Sequence, residues 1–180
     1  MKKIYSFLLR SLGWTSSVDV AIPSKCVICV APHTSNWDFI IGMIFYKSID
    51  GDPHFLMKKS WFFFPLNYVF KALGGIPVDR GKNTSLTGQM ADEFHKRNHF
   101  QLAIAPEGTR QSNPNWKTGF YYIALEAQVP IILAYLDYAK KTIGIFESFM
   151  PTGNAEEDID KIKSFYANIQ GKKPEQFTIE

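Results

Sequence analysis

Cysteine is nearly missing from this 180-residue chain: Cys26 and Cys29 are its only two. Two thiols build neither a disulfide framework nor a four-cysteine zinc site. They form a C-x-x-C inside the apolar run Cys26-Val27-Ile28-Cys29-Val30. In a strand, positions i and i+3 point to opposite faces, so the thiols are expected in the core and apart from each other. Long uncharged apolar runs are missing as well. Arg10, Lys25, Lys47, Lys58, Lys59 and Lys71 interrupt every candidate for the 18 or so residues a spanning helix needs. Charge of one sign is in small excess only, at +3. That favours anionic partners without giving the basic footprint of a nucleic-acid binder. The G-x-S-x-G elbow of serine hydrolases does not occur. Gly81-Lys82-Asn83 imitates part of a phosphate loop, but Asn83 stands where Ser or Thr is needed, which excludes nucleotide hydrolysis. There is no repeat, linker or low-complexity stretch, so residues 1–180 are expected to form one domain.

Aromatic residues are plentiful, with fifteen Phe, eight Tyr and four Trp. They suit either a Phe-rich core or a surface that meets lipid. The chain opens Met1-Lys2-Lys3 before the apolar stretch Ile4–Leu9, as a signal peptide would. Arg10 then interrupts it and no small-residue cleavage site follows, so export is not expected. Ile4, Phe7, Leu8 and Leu12 recur at helical spacing, with Tyr5 and Leu9 widening the stripe and Trp14 closing it. Residues 1–16 therefore read as an amphipathic helix that either packs on the domain or lies in a membrane interface.

Strand and helix signals alternate along the rest of the chain. Strands are expected at Lys25–Ala31, His54–Met57, Ile76–Val78, Phe100–Ala105, Pro130–Asp137 and Thr142–Phe146. Helices are expected at Asn36–Lys47, Ser60–Leu73, Thr84–Asn98, Lys117–Gln128 and Asn154–Gln170, with Ser35 or Asn36, Thr84 and Asn154 as N-caps. The alternation implies an α/β layered domain in which helices cover a mixed sheet.

Four short segments lie where strands hand over to loops, the places where α/β sheets put their ligands. In His33-Thr34-Ser35-Asn36-Trp37-Asp38, a turn can bring the carboxylate onto the imidazole, fix its tautomer and make it a base toward an alcohol. The same spacing also arises when Asp38 merely favours a helix's first turn and His33 is an ordinary loop residue. Pro106-Glu107-Gly108-Thr109-Arg110 packs a carboxylate, a close-approach glycine and an anion-gripping guanidinium onto one loop. A capped turn with an exposed ion pair would look alike. Gly74-Gly75-Ile76-Pro77-Val78-Asp79-Arg80 ends a strand on a cation, and Val129-Pro130-Ile131-Ile132 opens a buried strand.

Together, in this order, the four segments resemble the motifs of the 1-acylglycerol-3-phosphate acyltransferase family. They match as H-x4-D (His33, Asp38), G-G-I-P-V-D-R (Gly74–Arg80), P-E-G-T-R (Pro106–Arg110) and V-P-I-I (Val129–Ile132). Met57-Lys58-Lys59-Ser60-Trp61 and Trp116-Lys117-Thr118-Gly119 are similar to the family's linking segments. A string such as Glu-Gly-Thr-Arg arises by chance in about one chain in a thousand of this length, and here order and spacing agree too. The resemblance spans Cys26 to Asp137. It implies a glycerolipid acyltransferase-like fold and an O-acyltransferase of phospholipid biosynthesis. An acyl group would pass from acyl-CoA or acyl carrier protein to the hydroxyl of a lysophospholipid-like acceptor, with no cofactor, no metal and no acyl-enzyme. It makes His33 the general base and Asp38 its orienting partner. Glu107, Gly108, Thr109 and Arg110 bind the acceptor, with Arg80, Lys58 and Gly75 as further substrate-binding residues. The helix Ser60–Leu73 would line an acyl tunnel or face lipid. With lipid substrates and no spanning segment, the protein is expected at the cytoplasmic face of a membrane, bound peripherally. An acyl thioesterase, with water in place of the alcohol, and a non-catalytic membrane-binding module are the alternatives.

Overall fold

The long apolar run at Lys25–Ala31 forms the strand it predicts, and that strand is buried on both faces, as a central parallel strand must be. Around it the computed structural model, which describes residues 2–78 and 85–179, builds a mixed sheet of seven strands. In chain order these are β1 (Thr15–Val18), β2 (Lys25–Ala31), β3 (Pro53–Lys58), β4 (Gly75–Val78), β5 (Phe100–Ile104), β6 (Ile131–Asp137) and β7 (Thr142–Phe149). Their spatial order is β1-β7-β6-β2-β5-β3-β4. Every pairing is parallel except β6 with β7, which a short connection joins antiparallel. The expected α/β class and single layered domain are the observed architecture.

Among the described residues, six α-helices cover the sheet: α1 (Lys2–Ser11), α2 (Asn36–Ser48), α3 (Leu66–Ala72), α4 (Leu86–Lys96), α5 (Gly119–Ala127) and α6 (Ala155–Ser164). Alternation along the strands splits the core in two. Val27, Cys29, Ile131 and Leu133 face α4, α5 and α6, whereas Cys26, Ile28, Ile132 and Ala134 face α1 and α2. The two thiols thus lie on opposite faces, free and buried, and desolvation pushes each up to about 12. A Cβ on Gly75 would come within 2.8 Å of the Phe70 carbonyl oxygen and 3.4 Å of the Phe55 ring. The Phe55 ring meets Phe39 of α2 edge-on at 4.8 Å, which sets α3 on the same side of the sheet as α2.

Several elements depart from the sequence expectation, each for a local reason. The helix expected over Ser60–Leu73 breaks into a 3-10 turn, Lys59–Trp61, and the short α3. Pro65 supplies no N–H to a helix and disfavours helical backbone at Phe64 before it. The N-terminal helix ends at Ser11, and Thr15–Val18 is an edge strand against β7 whose four residues are all exposed, so it has no apolar alternation to announce it. The terminal helix stops at Ser164, and the tail beyond it bonds Tyr138 through Gln170 and Thr34 through Lys173. Helix α4 is capped by Ser85, whose hydroxyl accepts the Gly88 N–H, and the expected cap Thr84 lies outside the described residues.

Candidate active site

Strands β2, β5 and β6 run parallel, so their C-terminal ends open on one edge of the sheet, and the loops that leave them meet there. The loop after β2 carries His33 and leads into α2. Ser35 caps that helix with its hydroxyl accepting the Trp37 N–H at 3.2 Å, and the Asp38 carboxylate returns the bond to the Ser35 N–H at 2.8 Å. This reciprocal capping box fixes Asp38 one turn above the loop and turns its carboxylate back over it. The Thr34 N–H reaches the same oxygen, Oδ2, at 2.8 Å, and His33 Nδ1 lies 3.3 Å from it. The residue that closes the capping box is thus also the one that meets the imidazole. Asp38 has a 1% exposed side chain, His33 a 27% exposed one. With Nδ1 on the carboxylate, Nε2 is the nitrogen left to meet a reactant.

The loop after β5 contributes Glu107. Its residue exposure is 1%, and Oε1 accepts the His33 main-chain N–H at 2.7 Å. Oε2 is buried without a partner among the described residues. Burial raises its pKa to about 7, opposed by the His33 N–H bond and the His33 side chain, with Asp38 adding to the rise. Gly108 follows with φ +65, and a Cβ there would come within 2.7 Å of Lys117 Cε, so the turn that exposes Thr109 and Arg110 favours glycine. The loop is tied down by the Asn113 side chain on the Glu107 carbonyl at 2.9 Å and the Lys117 N–H on the Pro106 carbonyl at 2.7 Å. The Arg110 guanidinium donates to the Asn36 side-chain oxygen at the start of α2 and is otherwise on the surface.

The remaining expected residues are spread wider. Lys58 ends β3 on this same edge of the sheet, exposed and two strands from β2. Arg80 lies outside the described residues. Gly75 begins β4 in register with Phe55 of β3, itself opposite Ala103 of β5, and it is buried with the Phe70 carbonyl 2.8 Å from where a Cβ would stand. A cavity of ≈ 580 Å³ is lined by Gly75, His54, Lys71 and Arg97 and contains neither the H-x4-D nor the P-E-G-T-R residues.

Two contributors carry no motif. Tyr138, the residue after β6, donates its hydroxyl to Asp38 Oδ1 at 2.7 Å. The tail after α6 crosses the His33 loop: Gln170 O accepts the Tyr138 N–H at 2.8 Å and Lys173 N–H donates to Thr34 Oγ1 at 3.2 Å. Gly171 is buried between them, and a Cβ there would sit 2.8 Å from the Thr34 side chain. Lys172 Nζ lies 5.1 Å over the Trp37 ring. The position of Tyr138 at a strand's C-terminal end was the one sequence signal for it; the tail had none.

The model of the family described as Acyltransferase matches residues 17–136. Among solved structures, the 1-acyl-sn-glycerophosphate (LPA) acyltransferase PlsC from Thermotoga maritima superposes with a TM-score of 0.62 at 16% sequence identity, over 94% of this chain and 80% of that one. At that identity the likeness is one of fold. No curated protein matches the chain in sequence.

Proposed function

The chain belongs to the acyltransferase family, and from that premise we propose that it moves a fatty acyl group from acyl-CoA or acyl carrier protein to the hydroxyl of a lysophospholipid-like acceptor. The observation that carries this reading is the pairing of His33 Nδ1 with the buried Asp38 at 3.3 Å, beside a loop whose outer part ends in Arg110. In the reaction, Nε2 of His33 takes the proton of the acceptor hydroxyl as its oxygen attacks the thioester carbonyl. The tetrahedral adduct expels the thiolate, and the imidazolium returns the proton to the sulfur. One ester C–O bond forms and one C–S bond breaks, with no acyl-enzyme and no cofactor. Asp38 holds the tautomer and offsets the imidazolium charge. Arg110 grips an anionic head group on the acceptor through its planar fork, assisted by the exposed Thr109 and Gly108 backbone, with Lys58 and Arg80 as further cations for that group. Glu107, turned inward, holds the His33 main chain.

A panel of lysophospholipids, lyso-aminolipids and sugar lipids, offered with both acyl-CoA and acyl carrier protein donors, tests this assignment. Thioester loss is expected only when a hydroxyl acceptor is present. Equal loss with no acceptor would mean that water is the acceptor and the enzyme is a hydrolase.

We place the enzyme peripherally on the cytoplasmic face of a membrane. No described helix is long and apolar enough to cross one. Helix α1 buries Leu9 against the core but leaves Ile4, Phe7 (69% exposed), Leu8 and Leu12 outward, beside Lys2, Lys3 and Arg10. Trp14, expected to close that stripe, is instead buried and packs edge-on against Tyr138 at 4.9 Å. On the same side of the sheet, Trp61, Phe63, Phe64 and Tyr68 are exposed around α3. An apolar stripe edged with cations binds an anionic leaflet through both terms. Replacing Phe7 and Leu8 with Ser should release the protein from anionic vesicles and spare activity on detergent-dispersed substrate. Unchanged vesicle binding would remove α1 from the docking surface.

A further inference from the structure

We propose that Tyr138 is a positioning residue for the His33–Asp38 pair, its phenol fixing the carboxylate that orients the imidazole. The inference rests on His33 being the base. Asp38 receives its donors unevenly. Oδ2 takes the Thr34 and Ser35 N–H groups and faces His33 Nδ1, whereas Oδ1 takes the Tyr138 hydroxyl at 2.7 Å. The loop and the capping box thus hold one oxygen, and the phenol holds the other. Without it, a buried carboxylate oxygen is left unpaired, and the carboxylate is free to rotate about the bond that sets its angle to the imidazole.

Tyr138 is itself held on three sides. Its ring meets Trp14 edge-on at 4.9 Å, and its N–H donates to Gln170 O at 2.8 Å. The turn that follows it is closed by the Asp137 carboxylate, which accepts the Ala139 N–H at 3.0 Å and the Lys140 N–H at 3.3 Å. Burial and the neighbouring Asp38 carboxylate push the phenol's pKa up, so it remains a donor across the range in which an enzyme works. The tail that receives the Tyr138 N–H also receives Thr34: Lys173 N–H reaches Thr34 Oγ1, and Gly171 packs against its methyl. One segment therefore braces both the loop that carries His33 and the residue that holds Asp38. Tyr138 stands two positions beyond the residues matched to the family.

The test is Tyr138→Phe, which removes the hydroxyl and keeps the ring against Trp14. Palmitoyl-CoA with a lysophosphatidate, or whichever pair the wild type turns over best, serves as substrate. We expect kcat to fall about tenfold or more, with both KM values within about twofold of wild type. The acidic limb of the kcat/KM profile should move to higher pH, because a carboxylate with one donor fewer holds the imidazolium more strongly. Should the variant fold poorly, 3-fluorotyrosine at position 138 retains the ring and strengthens the donor, and the limb should then move to lower pH. A fall in kcat with the limb unmoved in both variants would make Tyr138 a structural residue only and overturn the proposal, as would unchanged kinetics. His33→Ala in the same assay separates the two failures. If it is inactive while Tyr138→Phe behaves as wild type, only the positioning role falls; if it keeps wild-type rate, the base assignment falls first and the positioning role with it.

Discussion

The first turn of α2 and the loop after β5 each set a buried carboxylate against His33. Asp38 meets its side chain and Glu107 its main chain. Asp38 has both oxygens occupied, by two N–H groups, a phenol and the imidazole. Glu107 has one oxygen on one N–H and the other buried without a partner among the described residues. Both side chains are buried, and they differ in how many donors they accept. A carboxylate with its lone pairs filled is fixed in place and serves to orient. Burial pushes the Glu107 carboxyl up to about 7 against the His33 N–H bond, so it takes up or gives away a proton near neutrality. One residue thus receives two differently paired carboxylates, one from helix α2 and one from the loop after β5.

The largest effect expected from breaking this contrast is at Asp38. Asp38→Asn keeps the volume but offers His33 Nδ1 a different partner and a different preferred tautomer. Transfer should fall by roughly 10²–10⁴-fold, read as kcat at saturating substrates, with little change in KM. A loss below tenfold would place the orienting role elsewhere.

Glu107 should show itself in stability more than in rate. Its folded-state pKa, about 7, lies above the ordinary 4.5, so the folded chain holds the extra proton between those values and the unfolded chain does not. The stability this contributes is complete below pH 4.5 and is lost as the pH rises through 7, by on the order of 3 kcal/mol. Glu107→Gln keeps an oxygen for the His33 N–H and cannot ionise. Denaturant unfolding from pH 4.5 to 8 should therefore give a flatter profile for the variant, with its advantage over wild type growing toward pH 8. Parallel profiles would remove Glu107 as the titrating group.

A smaller effect separates the inner and outer parts of the β5 loop. Arg110 is exposed and, among the described residues, donates to Asn36, so Arg110→Ala should leave kcat nearly intact and raise acceptor KM. A charge-assisted bond to a phosphate is worth about 1.5–3 kcal/mol, or roughly 10- to 150-fold in KM. A rise in donor KM instead would exchange the two substrates.

Much of this architecture was legible because local and global signals agree. Apolar continuity marks β2 and β6, and Ser35 ahead of Asp38 marks both the start of α2 and the carboxylate's direction. Spacing alone could not tell whether Asp38 serves the helix start or the imidazole, and the observed carboxylate contacts both. What stayed hidden depends on contacts distant in sequence. Glu107 reads as a rim residue because Glu is polar, and only the His33 N–H 74 positions away turns it inward. The close approach of the Phe70 carbonyl to Gly75 is likewise invisible in the sequence. Tyr138 and the tail from Gln170 to Lys173 meet the site across about 100 and 139 positions, and nothing in their own composition forecasts it. Strand β1 is polar and exposed, so its place in the sheet comes from β7 alone.

The central claim, that His33 is the base that activates an acceptor hydroxyl, is tested most directly by His33→Ala. The purified variant should match the wild type in thermal melting and in vesicle binding. Acceptor-dependent thioester consumption should fall by roughly 10²-fold or more, since a placed base typically contributes ~10²–10⁴. A folded variant that retains more than about a tenth of the wild-type rate would contradict the account.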